Sequence, residues 1–202
     1  MALGFDATGL SDAIGALPRH GEAAAGGFAA GHAFIGAVFL FVGSLLVVEL
    51  LAGPVYRRSR FLTLLWPAGL VVAGLGMLIV TYVQPTEKTL HLALAFLFFL
   101  GGFVEGRCRL GQVSRATADL IEVPALILGG FVIGPMHANG PLMSSVIAQA
   151  HLLVGLVGVA LAAVRTVQVR HGGSAALDAS FGVGVMLLGV SLLLVQQFHS
   201  GH

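Results

Sequence analysis

The sequence predicts an all-α, polytopic integral membrane protein: a bundle of six transmembrane helices with both termini outside. Three observations carry this. Of the 202 residues, 57% are hydrophobic and only 9% charged, whereas a soluble domain of this size needs about 25% charged residues to cover its surface. Six apolar segments approach or exceed the roughly 20 residues that cross the hydrocarbon core as a helix. The basic residues fall almost entirely in alternate loops.

The segments run approximately from Gly27 to Ala52, Phe61 to Val83, Leu90 to Val104, Leu120 to Gly134, Leu142 to Val167 and Ala176 to Gln196. Residues 1–26 form a polar N-terminal tail, 27–198 the six-helix transmembrane domain and 199–202 a C-terminal tail. The N-terminal tail carries Asp6, Asp12 and Glu22 against Arg19, without the basic start and adjacent apolar core of a cleaved signal peptide. Arg57, Arg58 and Arg60 follow the first span, Arg107, Arg109 and Arg115 the third, and Arg165 and Arg170 the fifth. Eight of ten positive charges thus lie on one side, which the positive-inside rule makes cytoplasmic. The expected location is the cell membrane, with extracytoplasmic N- and C-termini.

A net charge of +1 argues against nucleic acid, which calls for a concentrated basic face. The partners expected are the lipid bilayer and either further copies of the chain or a larger membrane complex. The single cysteine, Cys108, excludes an internal disulfide and reads as an ordinary loop thiol. Small residues recur within the spans at Gly130 and Gly134, Gly155 and Gly158, and Gly182 and Gly184, as close helix approach in lipid requires. Helix packing within one bundle is the plainer reading, a dimer face the alternative. Pro67 and Pro124 are expected to kink the second and fourth spans.

The histidines are distributed by depth. His32 lies just inside the first span from its outer end, His91 holds the same place on the third, and His151 lies somewhat deeper on the fifth, at separations of 59 and 60 residues. This spacing reads as a weak hairpin repeat in which each unit runs inward from a histidine and turns at a basic loop. The outer loop adds His137 beside Met136 and near Met143; His20, His199 and His202 share that side, and only His171 lies inside.

Imidazole suits zinc, copper and iron, and neighbouring thioethers tilt a site toward copper(I). A transition metal, copper or zinc, held by His32, His91, His137 and His151 is the site this pattern favours, with Asn139, Gln149 and Gln196 as groups that would orient the rings. The competing view is that interface histidines bind nothing and act as partly solvated anchors. A second polar layer, Glu49, Glu105, Asp119, Glu122 and Asp178, lies near the arginine loops. Ion pairs between helix ends explain it most simply; Glu122 and Glu49 are the best placed to serve a proton path if they face inward.

Gly31-His32-Ala33 with Gly36, Phe39 and Gly43 resembles the G-H-A-x-x-G-x-x-F-x-x-x-G opening of the transmembrane protein forty-five family, a domain of unknown function. His91 before the Phe96, Phe98, Phe99, Gly101 and Gly102 run, the loop His137-Ala138-Asn139-Gly140 and His151-Leu152-Leu153-Val154 are similar to later family elements. The resemblance spans about residues 31–165 and groups the four histidines as a set. Asn139 replaces a second loop histidine, the interval to His151 is about two residues longer, a glutamate expected near Gly129 is absent, and the family is usually read as having seven spans.

Four functions follow as expectations. The first is a metal-binding membrane protein with an outward-facing histidine cluster in metal handling or redox chemistry. The second is a zinc-dependent membrane hydrolase, weakened because no carboxylate lies at the histidine level to act as base. The third is an electron-transfer protein with haem b on two histidines; His137 and His151 are about fourteen residues apart, but Pro141 and the Asn139-Gly140 turn interrupt that helix. The fourth is an accessory or structural subunit. No charged pair in mid-bilayer or inverted repeat signals a transporter.

Overall fold

The structure, a computed structural model, describes residues 20–83, 88–136 and 145–200, with side chains placed for 30–82, 88–134 and 148–194. Its helices are α1 (His20–Ala52), the short α2 (Pro54–Arg58), α3 (Arg60–Val83), α4 (Lys88–Arg109), α5 (Arg115–Phe131), α6 (Ser145–His171) and α7 (Ala175–Ser200). A π-helical turn, Val132–Met136, continues α5. Six of these helices are long and apolar enough to cross a membrane. By length and composition the chain is therefore an integral, multi-pass membrane protein.

Its surface agrees. Phe41, Leu51, Ile79, Phe96, Phe103 and Leu156 all point outward, and helices that are apolar on every side require lipid or protein around them.

The spanning helices form a closed ring in chain order. Each packs against its predecessor and its successor, and the last, α7, closes against the first in the most extensive interface of the molecule; α4 and α5 form the loosest of the pairs between spanning helices. At three seams glycine makes the approach feasible. A Cβ on Gly102 would stand 2.6 Å from the Pro67 carbonyl oxygen between α3 and α4. A Cβ on Gly189 would stand 2.7 Å from the Gly36 carbonyl oxygen, and one on Gly155 would stand 2.7 Å from that of Gly130, closer than side-chain carbon tolerates. Gly134 and Gly158 meet the same α5–α6 seam, while Gly182 and Gly184 face α1 and α6. All six small residues singled out in the sequence thus have contacts within one chain.

Three tight turns close one end of the ring, and each places a glycine in the left-handed region: Gly53 (φ 49°), Gly111 (φ 72°) and Gly172 (φ 79°). The Ser114 hydroxyl oxygen accepts a hydrogen bond from the Thr117 amide at 3.1 Å and caps α5. Pro67 and Pro124 both lie inside continuous helices. Pro135, lacking an amide hydrogen, cannot donate to the carbonyl of Phe131, which accounts for the wider turn after α5.

Several boundaries differ from those expected. Among the described residues, α1 already runs from His20 rather than Gly27, continuing through the helix-forming Glu22-Ala23-Ala24-Ala25 run of the expected tail. Helix α4 runs on to Arg109, α5 starts at Arg115 and α6 ends at His171. Cys108 consequently sits in the last turn of α4, not in a loop. The charges that should have ended these helices are paired with one another.

Candidate functional site

Helices α1, α4 and α6 all enter the ring from the end opposite the three glycine turns, so His32, His91 and His151 arrive at one level. Their rings border a common cavity of about 40 Å³, together with Met77, Phe39 and Ile133. His91 is 3% exposed and His151 2%; His32 is half-buried. The rings of His32 and His151 meet edge to face, with centroids 5.6 Å apart and planes at 83°. Three imidazoles from three helices are therefore neighbours. Among the described residues, no group of three or more His, Cys, Asp or Glu side chains is arranged to hold a metal ion, so ligation would require the rings to turn.

His137, Asn139 and Met143 lie outside the described residues, as do the side chains of Met136, Gln196 and His199. Gln149 is exposed on α6 and does not back His151, two residues further round the helix. The thioether at the cavity wall is instead Met77 of α3. Met77 lies five residues from the end of its spanning segment, slightly deeper than His32, His91 and His151, which lie two or three residues from the ends of theirs.

The opposite end of the ring carries a continuous ion-pair network. Arg109 Nη1 donates to Glu49 at 2.7 Å and its Nε to Glu105 at 2.7 Å. Arg115 joins three carboxylates: it donates to Glu105 through Nη1, to Asp119 at 2.9 Å and to Glu122 at 2.6 Å. Arg165 reaches Asp119 at 2.6 Å, and Gln168 connects Arg165 with Asp178. Residues from α1, α4, α5, α6 and α7 are thereby linked. Glu105 is 1% exposed, and a carboxylate so deeply buried is tolerable only with partners of this kind.

Tyr56, on α2 beyond the spanning segment, is 2% exposed, and its hydroxyl finds no hydrogen-bond partner among the described residues. Burial, and secondarily the neighbouring Glu49 carboxylate, pushes its phenol above the usual value near 10. A raised folded-state value means that this group's contribution to stability is full below about pH 10 and lost as the pH climbs through that higher value. Because an unpaired buried hydroxyl costs free energy, Tyr56→Phe should leave stability unchanged or raise it by up to about 1 kcal/mol, seen as an unchanged or higher thermal unfolding midpoint. A clear fall in the midpoint would mean that the hydroxyl has a partner.

Between the two polar ends lies a third chamber. A cavity of about 120 Å³ on the ring axis is bounded by residues of all six spanning helices. It adjoins the histidine cavity at Phe39, Phe98 and Ile133. Toward the other end it adjoins a polar cavity of about 240 Å³ at Leu46, Trp66, Glu122 and Phe181. Among the described residues these three chambers form a row: imidazole-lined, apolar, then ionic. Trp66 and Glu122 mark the boundary between the last two.

No family model, curated protein or solved structure matches the chain. What can be inferred about function rests on this interior.

Proposed function

We propose that the chain is a multi-pass protein of the cell membrane, with its arginine end in the cytoplasm and both termini outside, whose outer histidine cluster binds one copper or zinc ion in metal handling or redox chemistry. The observation that carries this reading is the convergence of His32, His91 and His151 from three helices on one cavity. Ionisable side chains placed inside a membrane protein are costly and point to function. The resemblance to the transmembrane protein forty-five family would group the same residues with His137. We assign His137 as a fourth ligand.

Size and donor chemistry narrow the choice. A water needs about 10–15 Å³, so about 40 Å³ admits an ion with a water or two and is far too small for a porphyrin. A single ion is favoured over haem b. Three imidazoles beside the Met77 thioether favour copper(I) over zinc. No carboxylate borders the cavity among the described residues, which leaves zinc-dependent hydrolysis without a general base.

Elemental analysis of untagged protein in mild detergent, loaded with copper(I) or zinc and washed, tests the proposal. We expect one equivalent of copper, with His32→Ala, His91→Ala and His151→Ala each weakening retention about tenfold or more, at least the loss seen when outer-shell partners are removed. Metal retention unchanged in all three variants, no retention by the parent protein, or a Soret band in its optical spectrum would each reject the reading.

A further inference from the structure

We propose that the middle chamber is a second binding site, separate from the histidine cluster, and that its ligand is a single neutral hydroxylated aromatic ring, a phenol or the ring of a quinol. An engineered cavity of about 150 Å³ lined by Leu, Ile and Phe stays dry and takes up benzene. The chamber here is of the same order, about 120 Å³. Its wall includes Phe39 and Phe98, which meet edge to face with centroids 5.3 Å apart, and Phe181. Such a wall accepts an aromatic ring by stacked or edge-on contact.

Trp66 is 8% exposed, and its indole N–H has no hydrogen-bond acceptor among the described residues. Glu122 Oε1 is likewise buried and accepts no hydrogen bond from them, although Glu122 Oε2 receives Arg115. Both residues border the chamber where it meets the ionic cavity. Each orphaned buried group costs free energy, and such exceptions need a reason. One is a donor and the other an acceptor. A single hydroxyl answers both, since its O–H donates to Glu122 while its oxygen accepts from Trp66.

Charge sets the class of ligand. A carboxylate or phosphate head would stand beside Glu122, and the nearby guanidinium groups of Arg109, Arg115 and Arg165 are already engaged by carboxylates. Water at the junction would satisfy the two polar atoms and leave a ring-sized apolar volume empty. The hydroxylated ring fills the volume and pairs the atoms together.

Trp66 is the sole tryptophan, so its emission, excited at the red edge of indole absorption, reports occupancy directly. Detergent-solubilised protein titrated with phenol should show a saturable change in emission, and equilibrium dialysis with labelled phenol should give the same midpoint. Toluene, of similar shape but lacking the hydroxyl, should bind about tenfold more weakly, and benzoate should not bind. A Cβ on Gly129 would meet only Leu97 Cδ1, at 3.9 Å, so Gly129→Leu fills the chamber without a backbone clash. That variant should lose the saturable response while keeping its helical circular dichroism and elution volume.

A decyl-substituted hydroquinone identifies the source. If phenol alone binds, the ligand enters from water; if the hydroquinone binds, with or without phenol, the ring comes from a membrane lipid whose tail leaves between helices. The proposal is overturned if neither saturates, if toluene equals phenol, or if Gly129→Leu binds as the parent does.

Discussion

Replacing Glu105 with alanine will destabilise the bundle by about 3 kcal/mol, the lower part of the range for removing one partner of a buried ion pair, because Arg115 keeps some contact with solvent. The carboxylate receives both Arg109 and Arg115, and its loss leaves two guanidinium groups directed at a void. Arg109 retains Glu49, and Arg115 retains Asp119 and Glu122, so the ring should survive with weaker ties between α4 and α5, already its loosest seam. Denaturant titration in mild detergent, followed by helical circular dichroism, measures the change. Glu105→Gln should lose less than Glu105→Ala, since an amide oxygen still accepts one donor. Equal and small losses in both would mean that the network contributes no net stability.

Replacing Gly155 with valine has the second large effect. A side chain there drives into the Gly130 carbonyl oxygen and the Gly134 amide, each 2.7 Å from where a Cβ would sit. Both obstacles are backbone, so the relief available is separation of α5 from α6. Overpacking of this kind costs about 1–3 kcal/mol, and two backbone clashes place Gly155→Val at the upper end of that range. His151 stands one turn before Gly155 on the same face of α6, so displacing the helix moves its imidazole from His32. If the proposed histidine site holds copper(I), its retention should fall along with stability in this variant, whereas Glu105→Ala, at the other end of the ring, should leave retention intact. Gly155→Val with parental stability and metal retention would show that the seam yields freely and does not position the histidine.

The spans were legible because crossing a membrane is nearly a one-dimensional problem: length, apolarity and loop charge are all written along the chain. The expected ends at Val104 and Leu120 fell short for a physical reason. Hydropathy treats Glu105, Arg109, Arg115 and Asp119 as residues that need water, but they neutralise one another across helices. Depth was legible too, and it is why His32, His91 and His151 could be grouped before their helices were placed. The direction each ring faces was not. In helices apolar on nearly every side hydropathy says little about which residues face inward, so nothing singled out Met77 or Trp66, and Gln149 was grouped with the rings although it faces outward. Glu122 was recognised as a helix-end charge, but its position at the boundary of the apolar chamber depends on the ring as a whole.

The seam between α1 and α7 bears on how the protein comes into being. During synthesis the first spanning helix enters the bilayer well before its principal partner has been translated. Its Gly36 and Gly43 face must wait, against lipid or a chaperone, until Gly189 arrives. The row of chambers therefore does not exist in any nascent intermediate that lacks the last helix. A ribosome stalled before α7 would hold an open horseshoe, with its imidazoles and arginines bordering a cleft instead of an enclosed interior.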